Sequence, residues 1–148
     1  MEQSKPVNFS LKSISTLQFA ILEEFYRKGG DVELTTAVSF GISKADLLVA
    51  SKGAFTFSIE QKPFLKLEAA CYFKIDEASW SSFIMADRDL ISFPRGLMMH
   101  LTTIMIGTAR GILHAKTENS EYNHFPLPTI NVTELVTEDV EIGLEELP

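Results

Sequence analysis

The stretch that most constrains the fold runs from Pro94 to Ala115, with the sequence PRGLMMHLTTIMIGTARGILHA. Proline at its start suits the first turn of a helix, where a missing N–H costs little. Seven side chains recur at spacings of three and four and so share one helix face: Leu97, Met98, Leu101, Ile104, Met105, Thr108 and Ile112. Met99, Ile106 and Leu113 lie outside that face. A helix that is apolar around much of its circumference is covered from more than one side.

We therefore predict a helix of about 22 residues, roughly 33 Å long, that packs on its own sheet with one face. A second copy of the chain is expected to cover another face. The residues assigned to this oligomer interface are Leu97, Leu101, Ile104, Met105, Thr108 and Ile112.

Four stretches before the helix have the alternation of β-strands. They are residues 7–22, with a bend or bulge near Ser13–Thr16, then 32–42, 47–59 and 65–75. Residues 60–63 give a hairpin connection between the last two. Short links between successive strands indicate four strands in meander-like order, in a mostly antiparallel sheet with one apolar face.

The remaining segments complete an α+β prediction for one domain over residues 1–148. Trp80 and Phe83 indicate a short helical turn or a hydrophobic loop before the long helix. A 15-residue segment, 116–130, contains two prolines, and a long loop of this kind is usually functional or disordered. Asn131 and Glu134 resemble a capping box that opens a short C-terminal helix running to Val140. An acidic, mobile tail is expected from about 138–148.

Charge is distributed very unevenly along the chain. Residues 1–116 contain all 13 Lys and Arg with 12 Asp and Glu, whereas residues 117–148 contain eight acids and no Lys or Arg. Nothing supplies the basic surface that nucleic acid requires, so nucleic acid is not an expected partner. The acidic end is interpreted as a solubilising tail or, alternatively, as a docking surface for a basic partner.

Residue patterns for chemistry are weak. The spacing of His100, His114 and His124 matches no metal site, and no nucleophile or nucleotide motif is present. We expect no metal, no cofactor and no enzymatic activity. Cys71 lies in a strand pattern and is expected to be a buried thiol, and a single cysteine is compatible with a reducing, cytoplasmic location. The polar and charged residues of the long helix argue against membrane insertion.

Two loops have more apolar residues than a connection needs. They could line a groove for an extended, non-specific peptide, or they could simply fold onto the core. The residues assigned to client binding are Phe40, Ile42, Leu47 and Leu48 near the second strand connection, with Tyr122, Phe125, Leu127 and Ile130 after the helix. On this hypothesis, Phe125→Asp weakens client binding.

Several motifs resemble those of the SecB export chaperones. They are Ile91-Ser92-Phe93-Pro94-Arg95 at the start of the helix, Ala109-Arg110-Gly111 near its end, Phe125-Pro126-Leu127-Pro128-Thr129-Ile130-Asn131 before the last helix, and Val7-Asn8-Phe9-Ser10-Leu11 in the first strand. The resemblance implies an ATP-independent holdase, a dimer of dimers with its long helices between two sheets, that holds unfolded or precursor polypeptides. It also implies that the eight loop residues line the client groove.

The family docks the export ATPase SecA on an acidic surface. Residues 16–22 lack the carboxylates expected in the first strand, although Glu60 falls where another acid is expected. A SecB-like module for one dedicated partner, for example an antitoxin, therefore remains an alternative. A small-ligand or enzymatic α+β domain is a further alternative, favoured by a pocket with convergent polar groups around His100 or His114.

Overall fold

Four long antiparallel strands form the main sheet of the computed structural model, which describes residues 6–144. The strands are β1 (Phe9–Ile21), β2 (Val32–Ser43), β3 (Leu48–Ile59) and β4 (Lys62–Ile75), in the order β1-β4-β3-β2. The predicted α+β fold with a four-stranded antiparallel sheet is therefore confirmed. The predicted meander-like order holds from β2 to β4 but is wrong for β1, which pairs with β4 and not with β2. β1 and β2 are therefore the two edges of this sheet.

Turn and bulge positions follow the sequence closely. Glu60 and Gln61 both have positive φ, 51° and 67°, which is the conformation of a two-residue hairpin turn of the primed type. In β1 the register shifts between Leu11 and Ser13 and again between Thr16 and Gln18, at the edges of the predicted bend.

The long helix is α2 (Arg95–Thr117), and it packs across β3 and β4. Its buried side chains are Met98, Leu101, Thr102, Met105, Ile106, Ala109, Leu113 and Thr117. The opposing strand residues that they cover include Val49, Phe55, Leu67, Cys71 and Phe73. Across residues 6–144, no helix combines the length and the apolar character needed to cross a membrane.

A second, three-stranded sheet was not predicted. Helix α1 (Glu77–Phe83) leads into β5 (Ile84–Met85) and β6 (Leu90–Phe93), and β6 also pairs with β7 (Val140–Gly143). The C-terminal helix α3 (Val132–Leu135) is present but ends before Val140. Its extension to Val140 is wrong because residues 140–143 alternate half-buried and exposed positions, the two-residue period of a strand.

The prediction of a mobile acidic tail is also corrected as far as residue 144. Glu141 forms an ion pair with Arg88 at 3.3 Å, and Asp139 Oδ1 accepts a hydrogen bond from the backbone N–H of Arg95 at 2.8 Å. These acids find specific partners because β7 completes the small sheet beside the start of α2. The rest of the predicted tail, 145–148, lies outside the described residues.

Candidate functional site

The helix residues assigned to an oligomer interface divide into two groups. Leu101 and Met105 are fully buried against the chain's own sheet, so their assignment to an interface is wrong. Met105 lies directly over Gly53, which brings helix and strand together. Leu97, Ile104, Thr108 and Ile112 are only half-buried and remain accessible to a partner.

One side of α2 faces the β1 edge. His100 packs edge-on against Phe9 of β1, with ring centroids 5.3 Å apart. Leu11 and Ile14 pair with Phe73 and Cys71 of β4, so they lie on the same sheet face as the helix. The helix does not reach them, and they remain 44 % and 50 % exposed. With three helix residues they form an apolar surface, here called the β1 flank: Leu11, Ile14, Leu97, Ile104 and Thr108.

A cleft of about 990 Å³ opens where the β1 flank meets α1. It lies between residues 6–9, α1 and the first turns of α2, and His100 is part of its lining. The polar groups of the cleft bind one another: Asp76 accepts from the backbone N–H groups of Asn8 and Ser79 at 3.0 and 2.9 Å, and Ser82 Oγ donates to the Ser79 carbonyl. Within residues 6–144, His100 forms no hydrogen bond with a hydroxyl or a carboxylate.

The predicted client-binding residues near β2 do not all lie together. Phe40 and Ile42 pair with Ser51 and Val49, so both lie on the helix side of the sheet. A shallow pocket of about 290 Å³ joins Phe40 to residues 135–141. Leu48 pairs with Ser43 and lies on the opposite side of the sheet, in a pocket that is also lined by Gly41, Ile42 and Tyr72. Leu47 has φ of 53° in the turn, where its carbonyl accepts from the backbone N–H of Ile75.

The predicted residues after the helix fold onto the core, which was the alternative interpretation of this loop. Tyr122 and Leu127 are only 6 % and 2 % exposed, so the expectation that they form an open surface is wrong. Phe125 is half-buried, with its ring 5.3 Å from that of Phe64 and 6.1 Å from that of Phe57. Ile130 is half-buried against the same core.

Two arginines of α2 hold this returning segment, residues 118–139, which we call the strap. Arg110 Nε donates to the Leu127 carbonyl at 2.8 Å, and its Nη2 donates to the Pro128 carbonyl at 2.8 Å. Nearer the start of the helix, Arg95 Nε donates to the Val136 carbonyl at 2.7 Å. The strap therefore lies along the side of α2 that faces away from β1, in a channel between α2 and β2.

Sequence reasoning missed the role of both arginines, although a signal was present. An arginine on a largely apolar helix needs acceptors for its five N–H donors, and a proline-rich loop offers carbonyls outside regular structure. Tyr26 was also missed. Its ring packs 5.0 Å from Tyr122 and 6.1 Å from Phe125, so it joins the aromatic cluster beneath the strap.

The assigned docking acid, Glu60, lies at the β3–β4 turn. Arg27 Nη2 is 3.0 Å from Glu60 Oε1, and both side chains are largely exposed. The hydrogen bond and the positive charge of Arg27 lower the pKa of Glu60. The carboxylate is thus shared with a neighbour in this chain.

Two further expectations concern chemistry. Burial raises the pKa of the Cys71 thiol, which disfavours the nucleophilic thiolate. In the part of the chain from residue 6 to residue 144, no three His, Cys, Asp or Glu side chains converge on a common point where a metal ion could bind.

Models of known protein families give no match to this chain, and curated proteins give none either. Two features of the structure bear on its function. One is the exposed β1 flank, and the other is the channel that the strap fills.

Proposed function

We propose that the protein is an ATP-independent holdase that assembles as a homo-oligomer, a tetramer in the SecB-like arrangement, and binds unfolded polypeptides. The resemblance of its helix and loop motifs to the SecB chaperones supports this proposal. The observation that carries it is the β1 flank, where large apolar side chains remain exposed beside a half-covered helix. Exposed apolar side chains on a sheet edge, next to an open helix face, are candidates for an interaction site.

Self-association is assigned to the β1 flank. Leu11 and Ile14 lie on an edge strand, whose outer backbone groups can pair with another strand. Ile104 and Thr108 of α2 continue the apolar surface next to them. A second copy that packed there would cover both the edge and the open side of the helix.

Client binding is assigned to the channel between α2 and β2. Phe40 lies at its β2 side, in a pocket with strap residues 135–139, and Ile42 lies on the same face of β2. Tyr26, Phe57 and Phe64 lie beneath the strap rings Tyr122 and Phe125. An unfolded chain gains roughly 25 cal/mol for each Å² of apolar surface that it buries there. Several weak sites on one oligomer strengthen binding through effective concentration.

Aggregation of a denatured client, without nucleotide, tests the proposal. The protein is expected to suppress light scattering of two or more unrelated denatured proteins at near-equimolar ratio. Light scattering during dilution from denaturant, with bovine serum albumin as the inert control, measures this. Unchanged aggregation at a several-fold excess of the protein would reject the holdase function.

A module for one dedicated partner, such as an antitoxin, is distinguished by competition. A general holdase bound to one client releases it when a second, unrelated unfolded protein is added. Binding that only one protein can saturate would favour the dedicated module. An export role through SecA receives less support, because Arg27 already neutralises part of the charge on Glu60.

A small-ligand domain is a second candidate, favoured by the cleft beside His100. Its size lies within the range of drug-sized ligand pockets, and its lining mixes apolar with polar side chains. His100→Ala is expected to leave client holding intact if the holdase proposal is correct. A thermal shift with a panel of metabolites that His100→Ala abolished would support the small-ligand function instead.

A further inference from the structure

Three apolar side chains of the strap fill the channel. Tyr122 and Leu127 are buried, and Phe125 packs between Tyr26, Phe57 and Phe64. From residue 125 to residue 131 the backbone is neither helix nor strand. The strap thus places an irregular backbone, an aromatic ring (Phe125) and a leucine two residues later (Leu127) in the channel. An unfolded client would offer the same groups.

Few polar contacts hold this part of the strap. Among residues 6–144, no backbone–backbone hydrogen bond joins 125–131 to the sheet or to α2. Arg110 supplies the link with its two bonds, to the carbonyls of Leu127 and Pro128. Every polypeptide offers such carbonyls, so the guanidinium group can bind another chain in the same way.

We propose that the strap is a built-in substitute for the client, and that a client binds by displacing it. The preferred client segment is an extended peptide with an aromatic residue followed two positions later by leucine or another large aliphatic residue. Its carbonyls accept the Arg110 donors that the strap now occupies. This inference rests on the proposed function and specifies the closed state and the sequence preference of its client site.

If strap and client compete for the channel, a mutation that weakens the strap changes the affinity for the client. The apparent affinity for a client is the intrinsic affinity scaled by the fraction of molecules with an open channel. Weakening the strap raises that fraction, so Phe125→Ala strengthens client binding, by roughly 10-fold if its ring contributes as a partly buried aromatic side chain. The sign is opposite to that expected if Phe125 itself grips the client.

The test uses the full-length protein and a fluorescent peptide that copies residues 120–131, SEYNHFPLPTIN. Fluorescence anisotropy is expected to show roughly 10-fold tighter binding to Phe125→Ala than to the wild type. A peptide with serine in place of Tyr122, Phe125 and Leu127 should not bind. Ile84→Ala, an exposed apolar position on β5, is the matched control and should behave as the wild type. Equal or weaker binding by a folded Phe125→Ala protein overturns the inference.

Hydroxyl-radical footprinting of the wild type keeps the inference testable if Phe125→Ala does not fold. A saturating denatured client should increase the oxidation of Tyr122 and Leu127, which are 6 % and 2 % exposed while the strap is in place, and leave Phe73 of β4 unchanged. Lowered or unchanged oxidation of the strap side chains contradicts displacement. If the wild type holds clients and Phe125→Ala holds them less well, the holdase function stands and the substitute role fails. If the wild type suppresses no aggregation, the holdase function itself fails.

Discussion

Gly53 of β3 lies directly beneath Met105 of α2. A Cβ atom at Gly53 would be 2.6 Å from Met105 Sδ and 2.7 Å from Phe55 Cε2. Both neighbours are buried, so the helix can approach β3 this closely only while position 53 has no side chain. The relationship explains why a glycine, which weakens a strand, is placed in the centre of this one.

Gly53→Ala is therefore expected to destabilise the protein by about 1–3 kcal/mol, because an overpacked core must shift Met105 or Phe55. Urea denaturation measures the change. Gly41→Ala is the matched control on β2, because its new Cβ would meet only Lys52, at 3.8 Å. That variant should be at least as stable as the wild type. Equal stability of the two variants would show that helix and strand are not packed as described.

The buried hydroxyl pair between sheet and helix supports a second prediction. Ser51 Oγ and Thr102 Oγ1 lie 3.4 Å apart, and both residues are fully buried. Thr102→Val should cost about 1–3 kcal/mol, since it leaves the Ser51 hydroxyl without a partner. The double variant Ser51→Ala/Thr102→Val should cost less than the sum of the single changes. Additive free energies in this double-mutant cycle would mean that the two hydroxyls do not interact.

The β1 flank can be tested by a change of assembly state. Ile14→Asp places a charge on the helix side of β1 and should shift the proposed oligomer toward the monomer, with little loss of subunit stability because Ile14 is half exposed. Sedimentation equilibrium measures the molar mass. Leu17→Asp is the control: Leu17 is 47 % exposed but lies with Ala37, Ala54 and Glu68 on the other side of the sheet. Dissociation by both variants alike would place the interface elsewhere.

The four strands and the long helix could be predicted from the sequence because their patterns are local, whereas the pairing of β1 with β4 joins distant segments and could not. The alternation of Val32 to Ile42 and the three-and-four spacing of α2 each belong to one continuous segment. Which α2 residues face the sheet and which remain accessible could not be predicted. Leu101 and Ile104 are both large aliphatic residues on the same predicted helix face. Leu101 is buried and Ile104 is only half-buried because the sheet covers one and not the other.

The small sheet and the strap depend on contacts between distant segments. β6 meets β7 about fifty residues later in the chain, and a four-residue strand has too short a pattern to identify such a partner. For the loop after α2, the sequence showed an excess of apolar residues but not whether their side chains pack on the core or face solvent. Tyr122 and Leu127 fold inward because Tyr26 and Phe64 provide an aromatic surface next to the end of α2.

The cap of α1 predicts that the stability of the protein depends on pH. Hydrogen bonds from Ser79 and Asn8 lower the pKa of Asp76, with the Ser79 contact the main cause. A lowered pKa means that the folded state favours the ionised carboxylate, so this stabilisation is present above the ordinary aspartate pKa of about 3.9 and is lost as the pH falls through the folded value.

Asp76→Asn should therefore lower the urea midpoint at pH 6, because the amide keeps only one acceptor oxygen for two backbone N–H donors. The difference from the wild type should shrink steadily as the pH falls below about 4. Glu77→Gln, which removes a charge from the same turn, serves as the control. A difference between Asp76→Asn and the wild type that stayed constant from pH 6 to acid pH would mean that the ionised Asp76 carboxylate does not stabilise the junction of β1 and α1.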